Sequence, residues 1–172
     1  MGKGKILTVC GGILTLVATY VLCWYKITIN YFYYYTNGIG ALKNFLNIFL
    51  RAQSYADYFE LPLWIIYVSS VLVVFTLISG VVQLLIFKKR IFALLGSIIP
   101  IVIGIMIILG FTVFPEWLKY LVIFGDRNPL IAGAFPLNLP LPGRPESLGT
   151  YVLLAGGILG VIGFYYSKEE IF

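Results

Sequence analysis

Histidine is missing from all 172 positions, and with it the commonest metal ligand, the usual haem ligand and the usual general base at neutral pH. Charge is scarce as well: 11% of the residues are Asp, Glu, Lys or Arg, against about a quarter in soluble domains. Cysteine occurs only as Cys10 and Cys23, both in the first apolar segment. On a single helix they would stand roughly 20 Å apart along the axis, so they cannot bridge one another there. None of the asparagines opens a glycosylation sequon. These absences leave no catalytic, cofactor-binding or metal-binding residue to nominate, and the chain is not expected to be an enzyme.

Apolar residues are what the chain has in quantity, at 60% of the total with a mean hydropathy of +0.98. The expectation is an all-α integral membrane protein. Four runs, 6–25, 63–87, 91–114 and 149–167, approach or exceed the roughly 20 helical residues that cross about 30 Å of hydrocarbon. The first follows Lys3 and Lys5 as a signal peptide would, but its length and the lack of an A-x-A-like site favour its retention as a membrane helix. The plan is a single membrane domain over 1–172: a four-transmembrane-helix bundle with outer loops 26–62 and 115–148 and an inner turn at 88–90.

The net charge of +5 matters for its placement rather than its size. Lys3, Lys5, Lys88, Lys89, Arg90 and Lys168 crowd into very short segments on one side. Lys26, Lys43, Arg51, Lys119, Arg127 and Arg144 are diluted in two long loops among Asp57, Glu60, Glu116, Asp126 and Glu146. Density in short loops puts both termini in the cytoplasm of a multi-pass protein of the cell membrane. Membrane lipid is the expected partner, with further copies or other membrane subunits, and nucleic acid is not. No cofactor is expected other than bound lipid.

The first outer loop opens with ITINYFYYY, β-branched and aromatic, and closes on Asn37-Gly38, which together suggest a short β-strand and a turn. Beyond it, Ile39, Leu42, Phe45, Leu46 and Phe49 share one face of a helix, and Pro62 precedes the second membrane helix. The second outer loop suggests a short helix over PEWLKYLVIF. An extended stretch, FPLNLPLPGRPESLG, follows; six of the eight prolines lie between Pro115 and Pro145. With few charges, this loop is expected to be ordered by packing.

With these four spans, the strand-like start of the first loop, Trp24 at its entrance and the basic inner turn Lys88-Lys89-Arg90, the layout resembles the claudin-like tetraspan arrangement. That family carries a Trp-Leu-Trp stretch and a cysteine pair in its first loop; here the loop has no cysteine.

Small and weakly polar residues recur at helical spacing in every span. Gly12, Gly96, Gly104, Gly156, Gly160 and Gly163 are candidate helix-packing residues, and Gly156-x-x-x-Gly160 has the spacing of a helix-association motif. These faces are expected to close a compact four-helix bundle; the alternative is that one of them, that of the fourth helix, packs against another subunit. CGGILTLVATY at 10–20 resembles AGGILGVIGFY at 155–165, which chance and common packing needs explain better than an inverted repeat does. Ser69, Thr76, Ser79 and Gln83 form the most hydrophilic stripe of the second span and are the candidate lining of a pore. No Asp, Glu, Lys or Arg interrupts any span, which argues against ion coupling by a single copy. Asp57 and Glu60, three apart, suit a solvated helix edge rather than an acid–base pair.

The run Tyr31, Phe32, Tyr33, Tyr34, Tyr35 is the candidate outer interface, together with Trp117. In a strand, Tyr31, Tyr33 and Tyr35 face one way and Phe32 and Tyr34 the other. An aromatic belt needs one such face, so the second calls for a partner, either the chain's own second loop or a neighbouring subunit. The leading functional expectation is a non-catalytic membrane scaffold or accessory subunit that self-associates or joins a larger complex. The alternative is an oligomeric pore or carrier for ions or small solutes.

Overall fold

The computed structural model describes residues 2–29, 31–87, 89–113, 123, 125 and 136–169. Their elements are α1 (Lys3–Tyr20), β1 (Tyr25–Ile29), β2 (Phe32–Thr36), α2 (Gly38–Leu50), α3 (Ala52–Phe59), α4 (Leu63–Leu84) with a 3-10 turn over Leu85–Phe87, α5 (Ile91–Thr112) and α6 (Leu148–Glu169). The four long helices close a ring in the order α1, α4, α5, α6, each packed on two neighbours. One end carries the β-hairpin, the other the turn between α4 and α5; we call them the hairpin end and the turn end.

Among the described residues, three helices are long and apolar enough to cross a membrane: α4, α5 and Leu148–Ser167 of α6. The exception is α1. A helix through residue 25 is expected from the sequence, but α1 stops at Tyr20 and two of its 18 residues are Lys3 and Lys5. The backbone beyond it finds sheet partners instead. Leu137 N–H donates to Val21 O, Cys23 N–H to Leu137 O and Trp24 N–H to Thr36 O, at 2.8–3.0 Å. Tyr25 then begins β1, so Cys23 lies outside the helix that holds Cys10; both thiols are free.

The expected single strand is an antiparallel hairpin with Tyr25 opposite Thr36, Lys26 opposite Tyr35, Ile27 opposite Tyr34 and Thr28 opposite Tyr33. Its turn falls before Asn37-Gly38, at Tyr31, which takes a left-handed φ of 67°. Asn37 serves another purpose: its side-chain oxygen accepts from Gly40 N–H at 2.8 Å and caps α2. Gly38 is required there because a methyl group would lie 2.6 Å from Thr19 O.

The helix expected after the hairpin is broken at Arg51 into α2 and α3. Its apolar stripe does not turn inward. Gly38, Gly40, Ala41 and Ile48 are buried, while Leu42, Leu46, Phe49 and Leu50 are exposed. Ala41, Ile48, Ala52 and Ala56 make a small core with Ile66 and Val73 of α4, to which the second loop contributes Ile123. Asn44 Nδ2 donates to Gly125 O at 3.2 Å, so the two loops are tied together. The expected helix over PEWLKYLVIF lies outside the described residues apart from Ile123. Residues 136–147 of the proline-rich stretch stay out of helix, as expected. Leu137 pairs with Leu22, Glu146 pairs with Tyr25, and Pro140 pairs with Ser147 across a turn where Gly143 has φ 71°.

Candidate functional site

The ring's interior is built from small residues. Along α1 and just past it, Gly4, Thr8, Gly11, Thr15, Ala18 and Leu22 are all buried, spaced alternately by four and three. Along α6, Gly149, Leu153, Gly156, Gly160, Gly163 and Ser167 repeat the same spacing. A 3.5-residue period keeps one seam facing its partner over the whole length. The helices run antiparallel: Gly4 packs on Gly163 and Ser167, Gly11 on Gly156 and Gly160, and Gly149 on Leu22 and Cys23. A methyl group at Gly11 would lie 2.6 Å from Gly156 O and 2.8 Å from Gly160 N, so backbone touches backbone. Without a hydrophobic driving force in lipid, such close approach is what holds helices together.

The other glycines serve the remaining seams. Gly12 meets Gly80 and Leu84 of α4, Gly96 meets Ser79 and Gln83, Gly104 meets Leu154, and Gly157 meets Ser97 and Ile101. The glycine face of α6, the alternative subunit contact, is occupied within the chain by α1 and α5. Gly4, Gly11, Gly149 and Gly157 escape a search for G-x-x-x-G spacing. The alternating four-three step is the signal that finds the first three; Gly157 lies one residue off it.

The polar centre of the ring is Gln83, fully buried. Pro100 lies inside α5 and has no N–H, so the Gly96 carbonyl four residues earlier loses its usual helical donor. Gln83 Nε2 supplies the replacement at 2.9 Å and also donates to Thr15 Oγ1 at 3.1 Å, linking α4 to α5 and α1. In lipid, freed backbone groups must be met by neighbouring helices in this way. Gln83→Leu is therefore expected to cost about 1–3 kcal/mol, the penalty for a buried carbonyl left unpaired. Pro100→Ala restores the N–H, so the same change should cost markedly less in that background. A double-mutant cycle of unfolding in mixed micelles measures the coupling, and simple additivity would refute the link.

The other stripe residues divide. Thr76 and Ser79 are buried and donate to Leu72 O and Thr76 O of their own helix at 2.8 and 2.7 Å, while Ser69 is only half-buried beside the buried Ser70. Hydroxyls of Thr8, Ser70, Ser97 and Ser167 likewise bond back to carbonyls four residues earlier. The ring interior is thus polar in composition, and these hydroxyls bond to backbone, whereas the buried Gln83 Oε1 and Thr19 Oγ1 have no hydrogen-bond partner among the described residues.

Outside the ring the pattern inverts. Ile6, Ile13 and Val17 of α1, Val71, Phe75 and Ile78 of α4, Leu95, Ile98 and Val102 of α5, and Ile158 and Ile162 of α6 are exposed. Large apolar side chains face outward and small polar ones inward.

At the hairpin end, Trp24 is buried and its Nε1 donates to Ala18 O at 2.8 Å, with Tyr25, Ile107 and Leu153 around it. Tyr25 meets Phe111 edge to face at 5.6 Å. Burial pushes the Cys23 thiol and the Tyr25 phenol above their ordinary pKa values. The hairpin face that carries Tyr25, Ile27, Tyr34 and Thr36 turns toward the bundle, where Ile27 packs on this core. On the other face, Lys26 Nζ sits 3.7 Å above the Tyr33 ring, with Tyr35 beyond it. Tyr31 projects at the tip, 99% exposed. Of Phe32, only its strand position opposite Ile29 is described. Trp117 lies outside the described residues.

The loop carboxylates belong to separate elements. Asp57 accepts from Gln53 Nε2 at 2.8 Å on exposed α3, and Glu60 ends that helix in a left-handed conformation. Glu146 is buried beside Tyr25, and neither of its oxygens has a hydrogen-bond partner among the described residues. Glu116 and Asp126 lie outside the described residues. No protein-family model matches the chain, and neither curated proteins nor solved structures yield a match.

Proposed function

We propose that the chain is a four-span membrane scaffold of claudin-like plan, with both termini cytoplasmic and the hairpin end outside. On this reading it associates laterally with further copies or with other membrane subunits. The inverted polarity of the ring carries the proposal: small and hydrogen-bonded groups inside, large aliphatic groups outside on all four long helices. Such a surface suits lipid, and a chain that uses its glycines and hydroxyls internally is built to hold a shape rather than to conduct or catalyse.

The association surface on this reading is the outward stripe of α2. Leu42, Leu46, Phe49 and Leu50 continue into Trp64 and Tyr67 at the start of α4, where Phe49 and Tyr67 rings meet at 5.3 Å. A contiguous exposed apolar patch of this kind marks an interaction surface. Replacing Leu46 and Leu50 with serine should reduce chemical cross-linking between neighbours by about tenfold, equivalent to about 1.4 kcal/mol, while membrane insertion is kept. The scaffold reading fails if cross-linking is unchanged, or if the purified protein conducts ions or solutes in liposomes.

A further inference from the structure

We infer that the groove between α4 and α5 binds one acyl chain of an anionic phospholipid, whose phosphate is met by Lys89 at the turn end. The inference rests on the membrane reading above and adds a ligand to it.

The groove encloses about 340 Å³, and its exposed lining is wholly apolar. Its walls are large side chains, Ile78 and Val82 from α4 and Leu95 and Ile99 from α5, and its floor is Ser79 and Gly96. The floor exists because the two helices touch there through small groups: a methyl on Gly96 would lie 2.7 Å from Ser79 O. Small residues at the contact with large ones on either side produce a slot. Helix-to-helix association needs the reverse, small residues at the surface so that a partner about 10 Å wide can approach. Here the small residues are recessed and already packed, so the slot suits a single hydrocarbon chain rather than another helix. The Ser79 hydroxyl donates within its own helix, so the groove offers no polar group that would favour a polar ligand.

Charge selects the headgroup. The groove reaches Leu85 and Phe92, which flank the turn. Phe92 N–H donates to Lys89 O at 3.1 Å, which places Lys89 directly beyond the groove's end. Lys89 is exposed, and no ion pair holds it among the described residues. Arg90 is set over the Phe164 ring at 4.2 Å, so it stiffens the turn. The exposed Lys3 and Lys5 begin α1, which packs against the same 3-10 turn. α6 ends here with Lys168 and Glu169, so the charges at this end are mainly basic. A basic patch at the mouth of an apolar slot matches a lipid that is negative at one end and hydrocarbon at the other.

The test is native mass spectrometry of the full chain in mild detergent, delipidated and then exposed to phosphatidylglycerol or phosphatidylcholine with identical chains. We expect about tenfold preferential retention of phosphatidylglycerol. Lys89→Gln, an exposed change, should cut that preference at least threefold. Leu95→Trp, which narrows the slot, should lower retention of both lipids. Equal retention of the two lipids by the unmodified protein would overturn the inference, as would a preference that neither variant moves. A dimer that Leu95→Trp dissociates would assign the slot to a second copy instead and equally overturn it. Release of the chain from membranes by alkaline carbonate would sink the membrane reading itself, an outcome distinct from any of these.

Discussion

Gly156→Leu is expected to lower the free energy of unfolding by about 3 kcal/mol or more, since overpacking a close contact already costs about 1–3 kcal/mol when the neighbours can yield. Here they cannot. A first methyl at this position would lie 2.5 Å from Thr15 Oγ1 and 2.8 Å from Gly11 O, and the second of these is backbone in the facing helix. The only relief is separation of α1 from α6. Separation also moves Thr15 away from Gln83, so the polar centre is disturbed by a substitution that never touches it. Gly156→Ala should show the smaller, single-methyl cost. Ile158→Ala on the exposed side of the same helix should change little, because that side chain is 44% exposed. Unfolding titrations in mixed micelles, followed by circular dichroism, rank the three. Equal midpoints for Gly156→Leu and Ile158→Ala would show that the α1–α6 seam does not hold the bundle.

Trp24→Ala is the second large effect, at about 3–5 kcal/mol for a buried tryptophan truncated to a methyl. Its backbone and side chain together join three parts of the molecule. The indole is buried against Ala18, Tyr25, Ile107 and Leu153, its N–H reaches Ala18 O, its own N–H meets Thr36 O, and its carbonyl accepts from Ser147 N–H. Trp24→Phe keeps most of the buried ring and removes one hydrogen bond, so it should cost nearer 1 kcal/mol. Fluorescence distinguishes local from global loss, because Trp24 is buried whereas Trp64 is 65% exposed. Iodide should quench Trp64 in the folded protein and reach Trp24 only after unfolding. Quenching of Trp24 in the folded state would contradict its place in the core.

Much of the architecture was legible in the sequence because lipid imposes simple demands on it. The second, third and fourth long helices follow from apolar length alone, and their ends agree within a few residues with expectation. Small residues mark packing positions in the sequence, but not which helix packs on which. Gly156 and Gly160 advertise a contact without naming it, and only the matching four-three step in Gly4, Thr8, Gly11 and Thr15 identifies α1 as the other half. Asn37-Gly38 misled for a physical reason: the same pair that favours a hairpin turn also caps a helix, and a local sequence cannot choose between them. In α2 the sequence shows the apolar stripe but not the way it faces, and the stripe faces out while Gly40, Ala41 and Ile48 face in. Gln83 was seen as the most polar group of its span, yet its purpose depends on Pro100, seventeen positions later and on a different helix.

The pairing of the first long helix with the last has a consequence for the order of assembly. α4 and α5 are joined by a short turn and can close as soon as both are made, since closing a short loop costs little. α1 has to wait until residues 148–167 exist. At about 5–20 residues per second, that interval is on the order of ten seconds. Throughout it, the glycine and threonine stripe of α1 has no α6 to cover it. The bundle is sealed by its most distant pair, so a nascent chain stays open until the final helix arrives.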